Sequence, residues 1–197
     1  MIELILVRHG ETDSNKRGTY LGWTDIELNE KGLEQANIAK EKLKGTKIDA
    51  IFSSPLKRAR NTAEIINENF GLAIISCDSL KERNFGAWDD LTHKEITEKF
   101  PEDYALYAKD WINYCVKDGE SSAQAFERIT GFIDHLLAEK SQGVFLIVTH
   151  LGCIRKILAH LLGMSIEGSW HFRVDNASIT RLEINDEKYA YLTLLNG

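Results

Sequence analysis

Ile2-Glu3-Leu4-Ile5-Leu6-Val7-Arg8-His9-Gly10 decides how this chain is read. Ile2 to Val7 is short and largely apolar, the pattern of a strand buried on both faces, as in the middle of a parallel sheet. It runs directly into a cation and an imidazole, so Arg8 and His9 stand at its carboxyl end. The polar, glycine-containing stretch from Arg8 to Glu27 is too long for a simple turn. Loops of that length in compact domains are usually functional.

Working outward, strand and helix patterns alternate. Asn29 can cap a helix running to about Lys44, with Leu33, Ala36, Ala39 and Leu43 on one face. Ile48 to Ser53 reads as a second strand and Leu56 to Asn69 as a second helix ended near Gly71. Ala73 to Cys77 reads as a third strand. No convincing strand follows between about Leu80 and Lys140. Short helices are expected at Thr92 to Lys99 and Glu102 to Tyr114, and a longer one at Ser122 to Glu139. Ser121 and Gln124 have capping-box spacing for that longer helix. Strand character returns at Val144 to Thr149, followed by a helix from about Cys153 to Leu162 stopped by Gly163. Ala177 to Ile184 and Tyr189 to Leu195 read as a closing hairpin. The alternation predicts a three-layer α/β/α domain spanning residues 1–197. Its six-stranded mixed sheet is mostly parallel, and a helical cap is inserted at about residues 80–140.

Composition narrows the function. The 197 residues are 43% hydrophobic and 27% charged, with a formal net charge of -6. A core of normal size needs no disulfide or metal. The acidic balance argues against a general nucleic-acid binder but leaves room for a local arginine cluster that binds a small anion. Cys77, Cys115 and Cys153 are widely spaced and odd in number, which suits a reduced, cytoplasmic setting. The first residues lack the basic start of a signal peptide. No apolar run reaches the roughly 18 residues of a membrane span. The expected partner is a small molecule, with no nucleic acid and no membrane, and the protein is expected to be a monomer or homodimer.

The strand ends carry the chemistry. The first strand stops at Arg8-His9, the second at Ser53-Ser54-Pro55 with Arg58 one turn later, and the strand from Val144 at His150. If these strands are parallel, all three sites share one edge of the sheet, where open α/β sheets bind ligands. Two guanidinium groups can grip a phosphoryl group through planar forks of donors. A neutral histidine is a competent nucleophile toward phosphorus. A second, protonated histidine adds positive charge where the transition state spreads negative charge. Helix N-termini after His150 and around Arg58 offer backbone N–H groups to the same anion. A group to protonate the leaving oxygen is also required, and Glu82, just past the third strand, is the acid best placed by sequence.

Val7-Arg8-His9-Gly10-Glu11-Thr12 resembles the signature of the histidine phosphatase superfamily, which includes the cofactor-dependent phosphoglycerate mutases. The likeness continues through Asn15, Gly22-Trp23-Thr24-Asp25, Leu28-Asn29-Glu30-Lys31-Gly32, Ser53 to Ala59, Glu82 with Phe85-Gly86, Gly119-Glu120-Ser121 and Thr149-His150-Leu151-Gly152. It implies a phosphoglycerate mutase-like fold and a phosphohistidine formed on His9. It implies that Arg8, Arg58 and His150 hold the phosphoryl group, and that Glu82 acts as acid and then as base. It also implies phosphate or substrate contacts from Asn15, Gly22 and Gly152, with no metal and no cofactor. Within the superfamily the chain resembles the small phosphatases of the alpha-ribazole type, which act on a nucleotide precursor of cobalamin. Asp110-Trp111-Ile112, the short cap and Asn176-Ala177-Ser178-Ile179 carry that finer likeness. A mutase, a broad-specificity phosphatase and a non-catalytic phospho-ligand binder are the alternatives.

The chain departs from the family pattern at two places. Asp89-Asp90 stand where Glu-Gly is usual, and Leu151 stands where a glycine is common after the second histidine. The first is expected to alter the cap's contact with substrate and the second the wall near the phosphate. Trp88, Trp111, Trp170 and Tyr107 can each line a substrate pocket, with core packing the default reading. His93, His135, His160 and His171 carry no motif and read as surface or core residues.

Overall fold

Strand β1 (Ile2–Arg8) lies near the centre of a six-stranded sheet in the computed structural model, which describes residues 1–197. Its neighbours are β4 (Gly143–Thr149), which is parallel, and β5 (Ile179–Ile184), which is antiparallel. Strand β2 (Ala50–Ser53) lies parallel between β4 and β3 (Ile74–Ser76), and β6 (Ala190–Leu194) closes the hairpin with β5. The order is β3-β2-β4-β1-β5-β6, the mostly parallel mixed sheet that the sequence predicts.

Successive residues of a strand face opposite sides of the sheet, and β1 uses both. Ile5 and Val7 join the core under α2 (Glu30–Lys42) and α3 (Lys57–Asn67), with Ala39, Leu43 and Ile66. Leu4 and Leu6 join the core under α6 (Ser122–Glu139) and α7 (Leu151–Leu161), with Ile129, Ile133, Ile154 and Leu158. Full burial of a side chain of this size stabilises by about 1.5–3 kcal/mol, so an apolar run facing two layers holds the strand in register. The protein has no helix long and apolar enough to cross a membrane.

The expected insertion divides in two. α6 packs its apolar face on the sheet, so it is part of the α/β/α layers. The segment with its own small core is built from a 3-10 turn at Gly86–Trp88, α4 (His93–Lys99) and α5 (Pro101–Lys109). Trp88, Ile96 and Val116 are buried there, with Tyr104, Tyr107 and Tyr114 packed around them.

Several element ends differ from expectation for local reasons. The long loop after β1 contains a short helix, α1 (Asp13–Arg17), started by a capping box between Thr12 and Asn15. α5 stops at Lys109, where Asp110 leaves helical geometry and its carboxylate accepts from Asn113 N. α7 begins at Leu151, two residues early, with His150 as its N-cap. Leu33 is exposed, and Gly32 takes the inward place beside Ala36 and Ala39. A Cβ on Gly32 would meet the Glu11 carbonyl at 2.1 Å, and one on Gly10 would meet the Gly32 carbonyl at 2.3 Å. Only a pair of glycines lets the loop after β1 approach α2 so closely.

Candidate active site

The parallel register of β1 and β4 pairs Arg8 with Thr149. The next residues, His9 and His150, therefore stand side by side, and His9 N donates to the Thr149 carbonyl at 2.9 Å. Their imidazole centroids are 5.1 Å apart and both rings are buried. The convergence expected from strand ends is thus a consequence of register.

The tautomer of His9 follows from its neighbour. Nδ1 lies 2.7 Å from the Gly10 carbonyl, which can only accept, so Nδ1 carries the proton and Nε2 the free lone pair. Burial, with Arg58 and Arg8 adding to it, holds His9 well below the ordinary histidine range. His9 is therefore neutral with Nε2 unprotonated, the form that a nucleophile needs. Thr62 Oγ1 accepts from Gly10 N and donates to the Arg58 carbonyl, which ties the loop to α3.

Arg8, Arg58 and His150 surround this ring. Arg58 is fully buried and donates Nη1 to the Thr24 carbonyl at 2.9 Å and Nη2 to the Gly22 carbonyl at 2.6 Å. Arg8 donates Nη1 to the Val174 carbonyl. Burial lowers Arg8 to about 10, with Glu82 opposing, so it stays charged at neutral pH. His150 Nε2 shares a hydrogen bond of 2.8 Å with Ser54 Oγ. Burial and the nearby Arg58 hold His150 neutral as well, so the protonated form expected from the sequence requires the charge of a bound dianion. Five buried side-chain polar atoms have no partner in the protein, and Arg8 Nε, Arg58 Nε and His150 Nδ1 are three of them. An unsatisfied buried polar group costs about 1–3 kcal/mol, so their concentration in one cluster marks a place for an acceptor-rich anion.

Glu82 lines the same cleft as His9, past a 3-10 turn at Asp78–Leu80. Its carboxylate accepts from Gly152 N and Arg83 N, each at 2.8 Å. A Cβ on Gly152 would stand 2.3 Å from Glu82 Oε1, so the glycine makes the approach of acid to helix feasible. The segment is clamped further by Arg128, which donates to the carbonyls of Ser79, Lys81 and Glu82 while paired with Glu120. The helix N-termini act differently from expectation. At the start of α7 the Gly152 N–H serves Glu82, and at the start of α3 Lys57 N donates to Asp25 Oδ1.

Asn15 lines the cleft beside Asn176, whose amide donates to Asn15 Oδ1 and to the His9 carbonyl. Gly22 lies outside the cleft lining, with its N–H held by Asp89 and its carbonyl by Arg58. The Asp89-Asp90 departure reinforces this loop. Asp89 accepts from Gly22 N, Trp23 N and Thr24 N, and Asp90 accepts from the Ser14 and Thr19 hydroxyls. Asp90 has a φ of 58°, a conformation for which glycine is better suited. Neither carboxylate lines the cleft, so the pair acts on the loop that Arg58 also holds.

The cleft in front of His9 has a volume of about 470 Å³. Arg8, Glu82 and Gly152 line its inner end, and Tyr107, Trp111 and Trp170 line it further out. Trp111 and Trp170 meet edge to face at 5.7 Å, and Arg155 lies 5.3 Å over the Trp170 ring.

The profile of the histidine phosphatase superfamily (branch 1) matches residues 4–196. The chain belongs to this superfamily. It is 33% identical to the adenosylcobalamin/alpha-ribazole phosphatase of Escherichia coli K12, over 100% of this chain and 96% of that one. It is also 33% identical to phosphoserine phosphatase 1 of Hydrogenobacter thermophilus, over 98% of this chain and 92% of that one. The crystal structure of the alpha-ribazole phosphatase from Shigella flexneri superposes with a TM-score of 0.94 at 33% identity, covering 99% of this chain and 96% of the other. The fold is the phosphoglycerate mutase-like one expected, and the protein is a phosphatase, a hydrolase of phosphomonoesters.

Among histidine phosphatase residues of this chain, the sequence reading gave no role to several that support or line the site. Ser54 and Thr62 are buried partners of His150 and of the loop after β1. Arg83, Arg155 and Lys156 line the cleft. Of the four aromatic residues, Trp88 is core as the default reading has it, Tyr107 both packs on that small core and lines the cleft, and Trp111 and Trp170 take the alternative place in the cleft lining. Only the helical spacing of Gly152, Arg155 and Lys156 signalled that these share a face.

Proposed function

We propose that the protein hydrolyses phosphomonoesters through a phosphohistidine on His9, and that alpha-ribazole 5'-phosphate is its substrate. His9 Nε2 attacks phosphorus in line. Arg8, Arg58 and His150 hold the phosphoryl oxygens, and Asn15 reaches them from the cleft wall. Glu82, protonated, gives its proton to the leaving oxygen as the ester bond breaks. As a carboxylate it then takes a proton from the water that cleaves the phosphohistidine, which restores both groups. The observation that carries the chemistry is the trio of unpartnered buried atoms on Arg8, Arg58 and His150 around a neutral His9.

The substrate reading draws on the alpha-ribazole phosphatases at about one-third identity and on the aromatic rim. A nucleotide presents a planar base, and Trp170, which is 58% exposed, offers a face on which a base can stack. Three free cysteines suit a reducing compartment such as the cytoplasm.

The test is turnover of p-nitrophenyl phosphate and alpha-ribazole 5'-phosphate in EDTA, beside His9→Ala. We expect wild-type turnover, an acid-labile and alkali-stable phosphoenzyme, and a loss of about 10⁴-fold or more in the variant. A variant that keeps the wild-type rate would overturn the phosphohistidine. A wild type that turns over p-nitrophenyl phosphate but leaves alpha-ribazole 5'-phosphate intact would overturn the substrate alone.

A further inference from the structure

Four successive backbone carbonyls, from Ser79 to Glu82, are held by side chains from other parts of the fold. Ser79 and Lys81 accept from Arg128 on α6. Leu80 accepts from Thr149 Oγ1 at the end of β4 and from Cys153 Sγ on α7. Lys81 also accepts from Cys153 Sγ. Glu82 accepts from Trp23 Nε1 at 2.8 Å and from Arg128 Nη2 at 3.3 Å. The segment belongs to no strand, and its 3-10 turn ends at Leu80, so no ladder of backbone hydrogen bonds fixes Lys81 and Glu82. An irregular stretch is as exact as the side chains that grip it.

Arg128 makes the largest share of these contacts. Its Nε and Nη2 meet the two carboxylate oxygens of Glu120, each at 2.8 Å, in a bidentate fork. Nη1 donates to the Ser79 carbonyl at 2.9 Å and to the Lys81 carbonyl at 3.0 Å, and Nη2 also donates to the Glu82 carbonyl. All five N–H donors of the guanidinium are thereby used, a set that no other side chain reproduces. Glu120 Oε2 accepts from Asn84 N as well, so the pair grips the chain before and after Glu82. Burial opposes the charge of both partners, and the ion pair outweighs it. Arg128 is held above its ordinary range and Glu120 below its own, so both stay charged around neutral pH. Neither residue lines the cleft.

We propose that Arg128 is a positioning residue for the phosphatase reaction: by pinning the peptides on both sides of Glu82 it sets where the Glu82 carboxyl meets the leaving oxygen, without touching substrate. This role rests on the reading of Glu82 as general acid. The Lys81 and Glu82 carbonyls belong to the peptide groups that flank the Glu82 Cα, so Arg128 fixes the point from which the side chain extends. From there the carboxylate reaches Gly152 N and Arg83 N. Loss of Arg128 leaves the Glu82 carbonyl to Trp23 and the Lys81 carbonyl to the Cys153 thiol, a weak donor. The acid then loses its fixed place, while His9, His150 and Arg58 keep theirs through the strand ends and α3. A defect confined to the acid slows esters whose leaving group needs a proton. It hardly touches esters whose leaving group departs as a stable anion.

Two esters with different leaving groups test this. Wild type and Arg128→Met are compared by kcat/KM on glycerol 3-phosphate, an alkyl ester, and on p-nitrophenyl phosphate. We expect the variant to lose about 10²-fold on glycerol 3-phosphate, as for a displacement of about 1 Å, and far less on p-nitrophenyl phosphate. Arg128→Lys, which cannot form the fork, should restore only part of the loss. Equal losses on the two esters, or no loss on either, overturn the positioning role. Glu120→Gln keeps the shape of the pair and decides the matter if Arg128→Met does not fold. It should show the same selectivity at about tenfold, because the fork weakens but persists, and an unselective effect there also overturns the role. Glu82→Gln separates the role from the reading beneath it. If that variant slows both esters equally, Glu82 is not the acid, and the reading and the role fall together. If Glu82→Gln is selective and Arg128→Met is not, the positioning role alone falls. In the double variant Arg128→Met should add little further loss on glycerol 3-phosphate, because no acid is left to misplace.

Discussion

The inner and outer ends of the cleft are built on different principles. At the inner end, His9 and His150 extend from adjacent parallel strands, and Arg58 comes from the first turn of α3. His9, His150 and Arg58 are no more than 3% exposed. At the outer end, Tyr107 comes from the inserted helices, Trp111 from the loop after α5, and Trp170 from the 3-10 segment Ile166–His171. Strand ends inside a sheet cannot shift without breaking the ladder, so they suit groups that must meet an in-line geometry. Surface helices and loops can change their side chains at little cost to the fold, so they suit substrate choice. One scaffold can thus keep its chemistry and vary its leaving group.

Breaking the inner end is expected to have the largest effect. Arg58→Met removes a charge at the phosphoryl site and the two hydrogen bonds that hold the loop at residues 22–24. We expect kcat/KM to fall by about 10³-fold or more. Steady-state kinetics measures this, and a loss below tenfold would show that Arg58 serves the loop alone. The joint between the two ends comes next. Gly152→Ala puts a methyl group where Glu82 stands, and a displacement of about 1 Å costs on the order of 10²-fold. The loss should be larger for glycerol 3-phosphate than for p-nitrophenyl phosphate, whose leaving group needs less help from an acid. Equal losses on the two esters would contradict the role of Glu82.

The outer end should respond more weakly. Trp170→Ala is expected to raise KM for alpha-ribazole 5'-phosphate about tenfold relative to glycerol 3-phosphate, the loss of one stacking face. If the two KM values move together, the aromatic rim does not select the substrate. The smallest effect concerns the field that separates the ends. His9 and His150 are held below their ordinary range by burial and by the arginines. Their unfolded value is about 6.5. A depressed histidine contributes stability that is full above that value and is lost as pH falls through it toward the folded value. Each imidazole should therefore cost up to about 1.4 kcal/mol per pH unit below 6.5. Urea unfolding at pH 7.5 and 5.5 measures the loss, which should be smaller in His9→Ala. NMR should find neither ring titrating between pH 8 and 6.5, and a midpoint near 6.5 for His9 would contradict the burial argument.

The two ends also differ in how far they were legible. Arg8, His9, Arg58, Glu82 and His150 were readable because each follows a strand or occupies a motif with its own pattern. Lys156 and Trp170 were not, because a lysine in a helix and a tryptophan in a loop are ordinary in any sequence. The loop at residues 22–24 illustrates the same limit. Its glycine belongs to a motif, yet Asp89 from far along the chain takes its N–H. Asp110 likewise ended α5 through a local turn that helical periodicity does not register.

By itself the sequence determined the α/β/α class, the strands, and the side chains that end them. Those follow from local patterns of apolar and polar residues, which depend on short-range geometry alone. Only the tertiary structure decided that Nε2 of His9 is the free nitrogen, that both imidazoles are neutral, and that Gly152 serves Glu82. It also decided that Lys156 lines the same cleft as Glu82. Tautomers, field strengths and cleft linings arise from groups brought together by the sheet register and helix packing, and long-range contacts of that kind leave no mark on any single stretch of chain.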